Sequence, residues 1–202
     1  MRTLQPILVM IGATVLLCAL VSSASARNFE TTSQTLRAQF RELRFSFPFG
    51  SPACQVTVEG SFHARTIQKV VGTLSGFITR ADLGICSGGT VTILRETLPW
   101  HIRYSAFTGT LPNITSVRAS VIGASLRVRE TSGMIICLAR TTATEPGIVT
   151  FNREVGGAVT NVELGGRIRV GAECFGESGT FSSDRAPLTA LNTTTRITIR
   201  LI

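Results

Sequence analysis

Hydrophobic and polar residues alternate along most of the chain. The clearest example is the segment 97–112, TLPWHIRYSAFTGTLP, which holds the only Trp and the only Tyr. Its alternation places on one side Trp100, Ile102, Tyr104 and Ala106, and on the other side His101, Arg103 and Ser105. A period of two residues is typical of a β-strand that buries one face. We therefore predict a strand here, with its two large aromatic residues anchoring a core.

Short segments rich in Thr, Val and Ile, with Gly or Pro between them, predict the rest of the fold. Residues 30–47 fit a helix or two strand phases joined by a bulge, and we choose the strands because everything that follows is strand-like. The two phases assign to the inner face Leu36, Ala38 and Phe40, and then Leu43, Phe45 and Phe47. Further predicted strands are 54–62, 70–79, 90–94, 117–129, 134–140, 148–151, 158–164, 167–174 and 194–202. This pattern predicts an all-β fold, an antiparallel sandwich or a barrel-like arrangement of strands.

The first 26 residues have the composition of a secretory signal peptide. Arg2 precedes an apolar run over residues 7–21, and Ala24-Ser25-Ala26 forms an A-x-A cleavage site. A transmembrane anchor is the alternative, but the run is shorter than the about 20 residues that span a bilayer. We expect cleavage after residue 26, and we expect residues 27–202 to form a single secreted or cell-surface β-domain without a membrane-spanning segment.

Four cysteines remain after the predicted cleavage, namely Cys54, Cys86, Cys137 and Cys174. An even number of cysteines in an exported chain indicates two disulfides, for which three pairings exist. The similar spacings favour the pairs 54–86 and 137–174, and they raise the possibility of two weakly similar halves. A zinc site is disfavoured because the sequence contains no C-x-x-C pair.

Residue types used in catalysis are scarce. The chain has two Asp, Asp82 and Asp184, and two His, His63 and His101. No G-x-S-x-G, H-E-x-x-H, P-loop or dinucleotide motif occurs, so the sequence indicates no cofactor. The two histidines could meet across a sheet, but no spacing suggests the third ligand that a metal site needs.

Basic residues outnumber acidic ones by 20 to 12, and all but Lys69 are arginine, which is typical of a GC-rich genome. Arginines alternate with apolar residues at 127/129, 167/169 and 196/200, so we expect them on solvent-facing sides of strands. An ordinary solvated surface is the favoured explanation of these arginines. Clustered on one face, they would instead bind an anionic polymer such as cell-wall polymer. The absence of interleaved aromatic residues argues against nucleic acid.

Three functions follow from these observations. The first is a non-catalytic secreted or cell-surface β-domain with a structural or interaction role. The second is an extracellular module that binds polysaccharide or anionic polymer, with candidate binding residues Trp100, His101, Arg103 and Tyr104. The third is a secreted hydrolase that uses His101 and a Glu. The sequence gives no indication of the oligomeric state.

Several segments carry a resemblance to a known group of proteins. They are VTVEGSFHARTIQKVVGTLSGFITRA (56–81), TLPWHIRYSAFTGTLPNI (97–114), CLARTT (137–142) and NTTTRITIRLI (192–202). These segments resemble a family of secreted β-rich proteins from GC-rich soil actinobacteria, for which no activity is established. The resemblance implies a bacterial, exported protein with structural cysteines, and it implies no ligand or catalytic residue.

Overall fold

A computed structural model of the chain describes residues 28–111, 113–154, 157–174 and 178–202. In these residues two short 3-10 helices, Arg95–Thr97 and Ala172–Cys174, interrupt a succession of β-strands, and there is no α-helix. The strands are β1 (Asn28–Thr31), β2 (Thr35–Ser46), β3 (Ala53–Phe62), β4 (Thr66–Gln68), β5 (Leu74–Ser87), β6 (Thr90–Ile93), β7 (Trp100–Thr110), β8 (Asn113–Ile122), β9 (Ser125–Arg129), β10 (Ile136–Arg140), β11 (Gly147–Arg153), β12 (Val159–Val170), β13 (Ser178–Ser183), β14 (Leu188–Thr189) and β15 (Ile199–Leu201). The predicted all-β fold is confirmed.

The sequence predicts a signal peptide and, after it, no membrane-spanning segment. Over the described ranges, no helix has the length and apolar character needed to cross a membrane. The predicted signal peptide, residues 1–26, lies outside those ranges.

Eight antiparallel strands close into a ring. Hydrogen-bonded neighbours follow the order β11, β8, β7, β5, β3, β2, β13 and β12, and β12 pairs again with β11. One face of each strand points into the ring, where Phe40, Val58, Ile102 and Phe151 are buried. Of the two predicted antiparallel arrangements, sandwich and barrel-like, the closed ring corresponds to the barrel-like one. The interior of the ring is the hydrophobic core.

Strand β12 has different neighbours at its two ends. Residues from Val159 to Gly166 pair with β11, whereas Arg169 and Val170 pair with β10. From β10 the sheet continues to β9 and then to β6. These three strands therefore extend the sheet beyond the ring, and their inner faces remain buried.

A second, three-stranded sheet contains both ends of the described chain. Strand β1 lies between β15 and β4, so the first described residues pair with the last. Phe29 in β1 is fully buried, and its ring centroid lies 5.8 Å from that of Tyr104. The small sheet is thereby anchored to the aromatic core of the ring.

Both disulfides have the pairing that the sequence favoured. Cys54 and Cys86 lie directly opposite each other on β3 and β5. Cys137 on β10 is joined to Cys174 in the 3-10 helix that follows β12. The possible similarity between the two halves of the chain, each with one disulfide, stays a prediction.

The predicted boundaries agree with the structure at β2 and fail at several other places. In β2 the register shifts between Phe40 and Leu43, and all six residues assigned to the inner face are buried, namely Leu36, Ala38, Phe40, Leu43, Phe45 and Phe47. Residues 117–129 split into two strands at Gly123, whose φ of +92° favours glycine. The predicted break at residues 165–166 is wrong because β12 continues through both glycines. The predicted strand 70–79 begins only at Leu74, after a turn. Of the last predicted strand, 194–202, only Ile199–Leu201 is a strand.

Candidate polyanion-binding surface

Five exposed arginines lie on one outer face of the neighbouring strands β9, β10 and β12. On each strand the alternate residues are buried, as for Val128, Ala139 and Ile168. Because side chains of a strand alternate between its two faces, the residues between them point outward. We call this surface the arginine face, and it consists of Arg127, Arg129, Arg140, Arg167 and Arg169.

Strand register brings these arginines close together. Arg140 lies directly opposite Arg169 in the β10–β12 pair. Arg127 lies opposite Leu138, so it is a diagonal neighbour of Arg140 in the β9–β10 pair. Directly opposed Cβ atoms are about 4.5–5.5 Å apart and diagonal ones about 7–8 Å apart. Arg140 is therefore the centre of a compact group of positive charges.

Six arginines outside the arginine face form ion pairs with carboxylates among the described residues, and the five arginines of the face do not. Elsewhere, Arg80 and Arg95 share Asp82, Arg185 pairs with Glu163, and other ion pairs are Arg37–Glu59, Arg44–Glu42 and Arg200–Glu30. Within the part of the chain that the structure describes, no carboxylate forms an ion pair with any of the five arginines of the face. Their positive charge is thus available to an external anion.

The opposed pair Arg140 and Arg169 gives a prediction about the protein without ligand. Like charges directly opposite each other in a sheet are destabilising. Replacing Arg140 with Thr should therefore raise the free energy of unfolding by about 0.2–1 kcal/mol more than replacing Arg127 with Thr. Arg127 is the matched control because it faces Leu138 and Thr92 rather than a cation. The difference, measured by urea denaturation, should shrink at high salt, and equal effects of the two changes would contradict it.

Two of the binding residues considered from the sequence are in the core. Trp100 is 6% exposed and Tyr104 is 4% exposed, so neither ring can act as a stacking surface for a sugar. The indole Nε1 of Trp100 donates a hydrogen bond to Thr97 Oγ1 at 2.9 Å. Burial raises the pKa of the Tyr104 phenol. The prediction that these aromatics anchor a core is confirmed.

The other two candidates, His101 and Arg103, are exposed on the outer face of β7. The ring of His101 packs against Phe77 at 5.5 Å between centroids, and His63 packs against the same ring at 6.4 Å. The two histidines therefore share a neighbour. Among the described residues, no group of three or more His, Cys, Asp or Glu side chains is arranged to hold a metal ion.

The sequence identified only part of the arginine face. The alternations at 127/129 and 167/169 are on it, but Arg200 is in the small sheet and pairs with Glu30. Arg140 was missed because it is a single arginine at the end of its strand. The alternation of Cys137 and Ala139 with Leu138 and Arg140 would have placed it outward.

The interior of the ring contains a small apolar cavity. An apolar cavity of about 60 Å³ lies between side chains that include Trp100, Leu126 and Phe181. No ionisable side chain is among the described residues that line it. Small-molecule pockets usually measure about 300–1,000 Å³, so this cavity does not suit a sizeable substrate.

Comparisons with protein-family models, with curated proteins and with solved structures found no match to this chain.

Proposed function

We propose that the chain is a non-catalytic, secreted or cell-surface β-domain that binds an anionic polymer through the arginine face. The observation that carries the proposal is the group of five exposed arginines on three adjacent strands, none with an ion pair among the described residues. The predicted signal peptide and the resemblance to secreted actinobacterial proteins agree with an extracellular polymer as the partner.

The chemistry of arginine suits this role. A guanidinium group stays charged at any physiological pH and donates two parallel hydrogen bonds to a phosphate or carboxylate. Single exposed ion pairs contribute only about 0–1 kcal/mol, so a stable complex needs several of them at once. A polymer provides them, because its charges repeat at short intervals along one chain.

The supporting scaffold keeps the arginines in place. Their strands are hydrogen-bonded to one another, and their inner faces are buried in the core. The Cys137–Cys174 disulfide lies on the inner side of β10, the strand that carries Arg140. The positions of the charges are therefore set before the ligand arrives, which lowers the entropic cost of binding.

A pair of double variants tests the proposal. Arg140→Gln/Arg169→Gln should weaken binding to inorganic polyphosphate at least tenfold at low salt, because both changes fall at the centre of the face. The slope of log Kd against log salt concentration should fall by roughly 1 for each phosphate that the variant no longer binds, as for phosphates bound in nucleic acids. Isothermal titration calorimetry at several salt concentrations measures both quantities.

Arg103→Gln/Arg196→Gln is the matched control. It removes the same charge from exposed positions outside the arginine face, Arg103 on β7 and Arg196 near the chain end. If binding depended only on net charge, the two double variants would weaken it equally, and that result would refute a localised binding surface. Purified cell-wall material in a sedimentation assay should rank the variants in the same order.

A further inference from the structure

An open groove of about 360 Å³ crosses the outer surface beside the arginine face. It runs over strands β8, β11, β12 and β13, and its floor is the glycine pair Gly165 and Gly166. Two rows of paired residues cross it. In one row Arg118 lies opposite Thr150, which lies opposite Glu163. In the other row Gly165 is paired on one side with Ile148 and on the other with Ser182.

The two glycines of the floor differ in what the backbone requires. Gly166 has a φ of +136°, and a Cβ there would lie 3.0 Å from the carbonyl oxygen of Pro146, so glycine is needed. At Gly165 the nearest atom to an added Cβ would be the carbonyl oxygen of Phe181 at 3.4 Å, an ordinary contact. The backbone thus accepts a side chain at position 165. Glycine at this position has one evident consequence, which is that the groove stays open.

The walls of the groove carry groups that suit hydroxylated ligands. The Glu163 carboxylate is held in place by hydrogen bonds from Arg185 Nε at 2.7 Å and Asn152 Nδ2 at 3.3 Å. The hydroxyls of Thr150 and Ser182 have no hydrogen bond to another described residue, and Arg118 has no ion pair with one. These groups offer donors and acceptors in a shallow polar cleft, which matches the hydroxyls of a sugar ring better than an apolar molecule.

The groove and the arginine face lie on one line. Outward positions along β12 are Glu163, Gly165, Arg167 and Arg169. Successive outward residues on a strand are about 6.6–6.8 Å apart, because each residue advances the strand by about 3.3–3.4 Å. A chain seated over Gly165 and running along β12 therefore meets the first arginine within about 7 Å.

We infer that the groove over Gly165 binds a sugar unit and that the anionic ligand is an acidic polysaccharide, whose charged groups continue onto the arginine face. This inference rests on the proposed function, since the arginine face supplies the charge recognition. It adds a second, sugar-specific contact that a polyanion without sugar rings cannot make.

Gly165→Val tests the inference with two probes, a polyuronate and inorganic polyphosphate. A valine side chain would fill the groove, and β-branched residues are well tolerated in strands, so the thermal stability should be unchanged or higher. The variant should bind the polyuronate at least tenfold more weakly than the unaltered protein while its affinity for polyphosphate stays within twofold. Gly84→Val, on the exposed part of β5 beside the Gln55 side chain, is the matched control and should leave both affinities unchanged.

The outcomes separate the two proposals. Unchanged affinity of Gly165→Val for the polyuronate would overturn the sugar site, and so would an equal loss for both probes. Failure of the unaltered protein to bind either probe would instead overturn the polyanion-binding function and the sugar site with it. Binding of polyphosphate but not of the polyuronate by the unaltered protein would overturn the sugar site alone.

Discussion

Replacing Trp100 with Ala should lower the free energy of unfolding by about 3–5 kcal/mol, the usual range for a large buried aromatic residue. The indole is 6% exposed and borders the 60 Å³ cavity in the ring, so its removal would enlarge a space that is already incompletely filled. A protein of this size has a total stability of about 5–15 kcal/mol. The variant should therefore denature at a much lower urea concentration, which equilibrium unfolding followed by far-UV circular dichroism would measure.

His101→Ala is the control for this change. The two residues are adjacent in sequence, but His101 is on the outer face and its ring packs against Phe77. Its removal should change the free energy of unfolding by less than about 0.5 kcal/mol. Comparable destabilisation of both variants would contradict the one-sided burial of β7.

The sequence predicted the two faces of this strand because the alternation is a local property. Period two assigns Trp100 and Tyr104 to one side, but it does not say which side faces solvent. That choice depends on the strands that cover the face. In the structure both rings face the interior, where Phe29, from the first described strand, packs against Tyr104.

The groups proposed to bind ligand depend on pairings between distant segments. Arg140 and Arg169 are opposite each other only because β12 changes partner from β11 to β10 along its length. No local pattern contains that change. The alternation predicted that the arginines at 127/129 and 167/169 point outward, but not that their strands are near neighbours in one sheet.

The groove could not be predicted from the sequence, because the glycines that form its floor usually indicate a turn. Two successive glycines usually indicate a turn, so the sequence predicts that one strand ends and another begins at residues 165–166. In the structure the ladder continues through them, because strands on both sides supply hydrogen-bonding partners. The same two residues then become the floor of an open surface instead of a turn.

Removing either disulfide should have similar effects on stability and different effects on binding. The pairs close loops of similar length, with sequence separations of 32 and 37 residues. On the chain-entropy model each stabilises the fold by about 3–4 kcal/mol. Cys54→Ala/Cys86→Ala and Cys137→Ala/Cys174→Ala should therefore lower the free energy of unfolding by comparable amounts, which urea denaturation of each variant would measure.

Polyphosphate affinity should distinguish the two disulfide variants. Cys137 lies on the inner side of the strand that carries Arg140, and its partner Cys174 follows the strand that carries Arg169. Removal of this bridge should loosen the spacing of the two central arginines and weaken binding severalfold under conditions where the protein is still folded. Cys54 and Cys86 are on β3 and β5, which carry none of the five arginines of the face, so their removal should leave the affinity unchanged. Equal affinities of the two variants would mean that the strands hold the arginine face in place without the bridge.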